Sequence, residues 1–176
     1  MDEFVVLVNE QDEEIGTMEK LTAHQIGALH RAFSIFILDH ENNLILQKRA
    51  FNKYHSGGLW TNTCCSHQMP GEEALSAAQR RLQEEMGFSC HLELLFHFRY
   101  QASVGNELIE NEYDHVFWGR YEGPIQLNNA EVADYKIVDL ASLKSWINAR
   151  PQDFTAWFLL VMPTFLNTLQ SKGIQS

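Results

Sequence analysis

Between Gly71 and Gly87 the chain is written as one amphipathic helix. Ala74, Leu75, Ala78, Leu82 and Met86 recur at three- and four-residue steps behind an acidic first turn, Glu72 and Glu73, and Gly87 supplies a left-handed stop. A helix with a single apolar stripe needs a surface to lie on. The segments around it alternate with a period of two, so that surface is a sheet. Arg81 and Glu85 are four apart and project from one face of the last turns. Just upstream, Cys65 and His67 are two apart, so in an extended segment both point to the same side, while Cys64 points to the other and belongs to the core. A thiol, an imidazole and a helix carboxylate can therefore converge on one site.

The remaining chain supplies the sheet. Val5 to Asn9 and Glu14 to Met18 read as a hairpin, Glu19 to His30 as loop, and Arg31 to Leu38 and Leu44 to Arg49 as strands around a turn at 39–43. Lys53, His55, Gly57 and Gly58 make a basic loop before Trp60. Further strands are expected at Leu92 to Tyr100, Ile109 to Tyr121 and Val132 to Val138. Asp139 should cap a helix over Leu140 to Ala149, and a last helix should run from Thr155 to Lys172 with a kink near Pro163. The sum is an α/β (α+β) chain, a mixed β-sheet sandwiched by helices, in a single domain spanning 1–176.

Composition narrows the function classes. Thirteen basic against 23 acidic residues leave a formal charge of −10, which disfavours nucleic acid and anionic membrane surfaces. An anionic substrate then needs a local basic cluster or a metal. The opening Met-Asp-Glu-Phe has no basic region of the kind that starts a signal peptide, and the apolar run Phe158 to Met162 is too short to span a bilayer. Three cysteines, two of them adjacent, do not make a disulfide framework; they fit a cytoplasmic protein.

Each candidate group has two readings from spacing alone. His24, His30 and His67 could supply three imidazoles, and Glu110 and Glu112 alternate onto one face of a strand; three nitrogens and two oxygens suit Zn²⁺, Mn²⁺ or Mg²⁺. Otherwise the two glutamates are a solvated strand face. His40, His55, His91, His97 and His115 read as surface or core residues. Cys65 is either a buried structural cysteine or a reactive thiol tuned by a cation or metal. Tyr100 is a proton carrier or a core aromatic, and Trp157 is core or a π face toward a cation. Lys20, Arg49, Lys53 and Arg81 are ordinary surface cations singly and a diphosphate cradle together.

Arg80 to Phe88 resembles the C-terminal half of a Nudix box, G-x5-E-x7-R-E-U-x-E-E-x-G-U. Counted back from Gly87, Ser66 falls on the box glycine, Glu72 on its first glutamate and Arg81 on a required glutamate. A carboxylate cluster for Mg²⁺ that loses a ligand and gains a cation is ill suited to hydrolysis. Five further blocks follow the order of one family: Glu19-Lys20 before His24, Leu29 to Ser34, Leu59 to His67, Phe98-Arg99-Tyr100 and Glu110-Asn111-Glu112. Across nearly the whole chain it is similar to type I isopentenyl-diphosphate isomerases, which have a Nudix fold. The loop Tyr54 to Gly58 departs from their pattern, lacking its proline and aromatic residue.

The resemblance implies isomerisation of isopentenyl diphosphate to dimethylallyl diphosphate through a tertiary carbocation, in isoprenoid biosynthesis. It implies one divalent metal, Zn²⁺, Mn²⁺ or Mg²⁺, on His24, His30, His67, Glu110 and Glu112. A second, Mg²⁺, would bridge the substrate diphosphate to Glu85 and the carbonyl of Cys65. Cys65 and Glu112 become the catalytic pair, with Tyr100 relaying a proton; Lys20, Arg49, Lys53 and Arg81 bind the diphosphate, and Trp157 faces the cation. The expected partner is this small diphosphate alone, with no nucleic acid and no membrane, and a monomer suffices. A Nudix hydrolase and a non-catalytic phosphate-binding module are the rivals: the first would release phosphate and have little use for Cys65, the second would tolerate loss of both Cys65 and Glu112.

Overall fold

The computed structural model describes residues 3–174. In chain order it runs β1 (Phe4–Val8), β2 (Glu14–Glu19), α1 (Lys20–Ile26), β3 (His30–Leu38), β4 (Leu44–Arg49), β5 (Trp60–Thr61) and β6 (Cys64–Ser66). It continues with α2 (Ala74–Met86), β7 (Leu92–Ser103), β8 (Ile109–Arg120), β9 (Val132–Val138), α3 (Leu140–Ala149), a 3-10 turn (Pro151–Asp153) and α4 (Ala156–Ser171).

Strand β3 is the axis. One edge pairs in parallel with β8 along its whole length, from His30 opposite Glu112 to Leu38 opposite Arg120. The other edge meets β1, β6 and β4 in turn, through Leu7 opposite His30, Ser34 opposite Cys65 and Ile37 opposite Ile45. A strand covered on both edges and both faces should read as a near-continuous apolar run, and only Arg31 in β3 is less than buried. Its alternating side chains separate two cores. Phe33, Ile35 and Ile37 pack with Cys64 and with Ala77, Ala78, Leu82 and Met86 of α2. Phe36 and Leu38 pack with Leu140 and Leu143 of α3 and Phe158 and Phe165 of α4. The Phe36 ring stacks 4.2 Å from that of Phe165, and truncating it to alanine is expected to cost about 3–5 kcal/mol.

The same alternation positions the chemistry. His30, Ser34 and Phe36 share the face toward α4, and pairing of Ser34 with Cys65 puts the Cys65 side chain there too. Cys64 falls on the α2 face and is fully buried. On β8, Glu110, Glu112 and Asp114 follow the parity of Val116, which lies in the α4-side core.

Three sequence expectations need correction. Glu19 to His30 is not loop: α1 forms because the Glu19 carboxylate accepts from the amides of Leu21 and Thr22, at 2.8 and 2.7 Å, and Gly27 closes it in a left-handed conformation at φ 66°. Glu72 and Glu73 precede α2 and are not its first turn; Glu72 instead accepts from the Met69 amide and pairs with Arg80. Leu75 is exposed, and Ala77 takes its place on the buried stripe.

Candidate functional site

A cavity of about 410 Å³ opens on the α4-side face beside β6 and β8. Of the residues singled out from the sequence, Lys20, Arg49, Lys53, Cys65, His67, Arg81, Glu85, Tyr100, Glu110, Glu112 and Trp157 all line it. His24 and His30, fully buried, stand behind its floor.

The floor is the tightest part. One atom each from His24, His30, His67, Glu110 and Glu112 lies within 4.8 Å of every other. α1 brings His24, the start of β3 brings His30, the end of β6 brings His67, and β8 brings both glutamates. His24 Nδ1 donates to the Lys20 carbonyl at 2.6 Å and His30 Nδ1 to the Ala28 carbonyl at 2.8 Å, so in the neutral rings both Nε2 lone pairs face inward. His30 Nε2 stands 3.2 Å from His67 Nε2, His67 Nε2 2.9 Å from Glu112 Oε1, and His24 Nε2 3.3 Å from Glu110 Oε2. Burial pushes the His67 imidazole down to about 3, so it is neutral. For Glu110 burial acts the other way, but the His24 and His55 imidazoles beside it win, holding its carboxyl well below the usual range. Glu110 Oε2 is buried and accepts no hydrogen bond. Converging ring nitrogens and an orphaned carboxylate oxygen are electrostatically incomplete, and a divalent cation could complete them. The donor set of three nitrogens and two carboxylates fits one.

Above this floor stand the groups that could move protons. Tyr100 donates to Glu112 Oε2 at 2.5 Å, a charge-assisted bond in a buried position. Burial first, and the neighbouring Glu112 second, push the Tyr100 hydroxyl well above its ordinary value, so it stays protonated. Burial also raises the Cys65 thiol to about 12, with Arg49 pulling against it. Cys65 and Glu112 stand on strands that flank β3 on opposite edges, so they approach the cavity from its two sides.

Cations line the outer wall, most of them already in ion pairs. Lys20 meets Glu3 at 2.7 Å, Lys53 pairs with Glu131, and Arg81 reaches Glu85 at 2.5 Å and Glu84 at 2.8 Å. Both Glu85 oxygens are taken, the second by Gln47 at 2.8 Å. Arg49 differs. It is buried, its guanidinium lies 5.1 Å from the Trp157 ring centroid, and among the described residues the side chain's one hydrogen bond is to the His55 carbonyl at 3.2 Å. Its Nε has no partner, and among the described residues no carboxylate pairs with it. A buried guanidinium without a counter-ion could receive an anion.

Sequence reasoning missed three groups here. His55, read as surface or core, is buried against Glu110, with Nε2 2.9 Å from Oε1, and its ring meets that of Trp157 edge-on. Tyr54 beside it places its hydroxyl 3.5 Å from His24 Nε2. Asp114 extends the series Glu110, Glu112 by one more alternate residue; it is buried, accepts from Ser34 at 2.7 Å, and burial with the nearby Glu112 pushes its carboxyl well above the usual range. Only the period-two spacing of Asp114 could have signalled it.

Comparisons with known proteins give the family and the fold. The NUDIX domain family matches residues 28–158. Among curated relatives, an isopentenyl-diphosphate Delta-isomerase 1 of Aromatoleum aromaticum is 54% identical over 157 residues, covering 89% of each chain. An isopentenyl-diphosphate Delta-isomerase 2 of Photorhabdus laumondii is 54% identical over 158 residues, 90% of this chain and 89% of that one. Among solved structures, a protein of Deinococcus radiodurans superposes with a TM-score of 0.69 at 17% identity, covering 84% of this chain and 90% of that one. The MutT protein of Methanosarcina mazei does so at 0.58 and 17%, over 66% and 81%. These two likenesses concern the fold alone.

Proposed function

The chain belongs to the isopentenyl-diphosphate Delta-isomerase family of the Nudix fold, and from that premise we propose that it interconverts isopentenyl and dimethylallyl diphosphate with Cys65 and Glu112 as its proton-transfer pair. The observation that carries the assignment is a thiol and a Tyr100-bonded carboxylate facing one cavity whose wall holds the unpaired Arg49.

The substrate is an unactivated alkene tied to a diphosphate. Arg49, Lys20, Lys53 and Arg81 hold the diphosphate at the cavity wall, and an incoming anion releases the last three from Glu3, Glu131 and Glu85. Glu85, once freed, and the Cys65 carbonyl are the groups that would hold a Mg²⁺ bridging to the diphosphate. At the floor, a divalent ion on His24, His30, His67, Glu110 and Glu112 would fix the Glu112 carboxylate and sharpen the acidity of the proton it shares with Tyr100. Three imidazoles favour Zn²⁺ or Mn²⁺ there over Mg²⁺.

In the forward direction Tyr100 and Glu112 deliver a proton to the terminal alkene carbon, leaving a tertiary carbocation. Trp157, with Arg49 and His55 packed on it, turns an aromatic face to the cavity and helps exclude water that would quench the cation. The Cys65 thiolate then takes a proton from the adjacent CH₂. One proton enters and one leaves, so no redox cofactor is needed. With its thiol raised to about 12, Cys65 rests as the neutral acid, the state from which the reverse reaction starts; the forward reaction starts once that proton has passed to Glu112, and its return to Glu112 after turnover closes the cycle. One chain supplies every group, so a monomer is sufficient. Its three free thiols suit a reducing compartment, the cytoplasm.

The test is incubation with isopentenyl diphosphate, Mg²⁺ and Mn²⁺ in D₂O, followed by NMR. Deuterium is expected in dimethylallyl diphosphate with no free phosphate. Phosphate release would replace the isomerase by a hydrolase, and unchanged substrate on metal-loaded protein would leave a binding module.

A further inference from the structure

The α2-side face of β8 carries a second constellation that the isomerase chemistry does not use. Tyr113 and His115 alternate with Glu112 and Asp114 and therefore face away from the cavity. His115 sits opposite His97 across the β7–β8 ladder, their ring centroids 4.5 Å apart. Asp12, at the tip of the β1–β2 hairpin, reaches over both, with Oδ2 2.7 Å from His115 Nε2. One ligand atom each from Asp12, His97 and His115 lies within 4.8 Å of the others.

We propose that Asp12, His97 and His115 form a second, surface metal site for a divalent ion of the Cu²⁺, Ni²⁺ or Zn²⁺ class. Two imidazoles and one carboxylate are borderline donors, which favour these ions over Mg²⁺ or Ca²⁺. The site is partly preorganised. Arg31 holds Asp12 from behind, donating to its Oδ1 at 2.7 Å and to its main-chain oxygen at 2.5 Å, so Oδ2 is the oxygen left to face the histidines. Arg31 also places a positive charge at that carboxylate, which limits affinity and argues against the hard ions first. His97 is exposed, and its ring is free to turn the small distance needed to join a ligand shell of about 2.0–2.1 Å radius. On binding, the proton that His115 Nε2 shares with Asp12 leaves to solvent and the metal takes its place. Three protein ligands leave positions open for water.

Such a metal would tie the β1–β2 hairpin to the β7–β8 ladder. That hairpin runs directly into α1, which carries Lys20 and His24. The site would thus brace one support of the catalytic floor without belonging to it, and its existence does not depend on the proposed isomerase reading.

The experiment uses the full chain with the floor cluster first saturated with Mn²⁺. Cu²⁺ is then added in substoichiometric steps and followed by electron paramagnetic resonance and equilibrium dialysis, in wild type and in His97→Ala. Wild type is expected to take up one additional equivalent of Cu²⁺ with nitrogen ligation and to raise its Tm on doing so. His97→Ala, a change at an exposed ring, should fold normally and keep its turnover, yet bind that equivalent at least tenfold more weakly and lose the Tm gain. No additional equivalent in wild type, or the same equivalent bound equally well by His97→Ala, overturns the proposal and leaves the Asp12–His115 bond as a hairpin fastening only.

Discussion

Replacing His55 by phenylalanine removes one N–H from the floor of the cavity and little else. Burial pushes the His55 imidazole below its ordinary value, so at neutral pH the ring is neutral and its single proton must be assigned. Ser56 Oγ lies 3.2 Å from Nδ1 and can donate to it, while Glu110 Oε1, an acceptor only, lies 2.9 Å from Nε2. The proton is therefore on Nε2 and points at Glu110. That bond fixes one oxygen of the carboxylate and leaves Oε2, which accepts nothing, turned toward His24. A hydrogen bond to a charged group is worth about 1.5–3 kcal/mol, a factor of roughly 10 to 150. Outer partners of metal ligands independently cost about 10- to 100-fold in affinity when lost. Phenylalanine keeps an aromatic edge against Trp157, so packing should survive. The assay is chelator competition for the floor metal, run with the same protein's melting curve. His55→Phe should bind the metal roughly 10- to 100-fold more weakly with Tm little changed, and His55→Gln, which restores an N–H, should recover most of the loss. Metal affinity within twofold of wild type in a folded His55→Phe protein would refute this account of Glu110.

The remaining expectations concern the walls. Cys65→Ser should reduce turnover by at least about tenfold, since a hydroxyl is a far weaker acid than a thiol, while diphosphate binding measured by calorimetry stays near wild type; retained turnover would remove Cys65 from the reaction. Arg81→Glu turns a paired cation into a carboxylate facing Glu84, Glu85 and Glu131, so diphosphate should bind at least tenfold more weakly in low salt, and equal binding would show that Arg81 is no anchor. Glu72 is held below the usual carboxylate range, chiefly by its hydrogen bonds from Arg80. The pair therefore stabilises the fold above the unfolded-state value of about 4.3 and loses that contribution as pH falls through the lower folded value. Glu72→Gln should flatten this acid limb in urea melts by under about 1 kcal/mol, because the pair is solvent-screened; an unchanged limb would place the acid sensitivity elsewhere.

What the sequence could disclose follows from periodicity. Cys64 and Cys65 were separable into core and cavity because a strand alternates, and Glu110 and Glu112 were placeable on one face for the same reason. α2 was legible because its apolar stripe is long enough to establish a period. α1 was not. Its seven residues span two turns, too few for a stripe, and its cap is a glutamate, outside the usual Ser, Thr, Asp and Asn signals. His55 lies in a segment with no period at all, and only the register of the folded loop brings it to Glu110. That Tyr54 to Gly58 is an irregular loop was visible in the sequence, while its delivery of an imidazole and a phenol to the floor cluster required coordinates.

In the proposed reading, Arg81 is a single substitution in a familiar motif that redirects a site. In the Nudix pattern its position carries a carboxylate, one of the set that gathers metal around a pyrophosphate bond to be cleaved. Here the guanidinium stands 2.5 Å from Glu85, four residues on, and consumes one of that glutamate's oxygens. The helix face has therefore exchanged a net negative cluster for an internal ion pair. An ion pair can open to receive an anion, with the carboxylate passing to a cation and the guanidinium to a phosphate oxygen, whereas a cluster of carboxylates can only gather cations. Cleavage needs metal at the bond that breaks; isomerisation needs the diphosphate held intact and kept away from the positive charge developing on the carbon chain. In the proposed reaction the lone guanidinium of Arg49 and the openable pairs of Lys20, Lys53 and Arg81 would meet the second requirement, and the cluster beneath them would be left to position Glu112 for proton transfer.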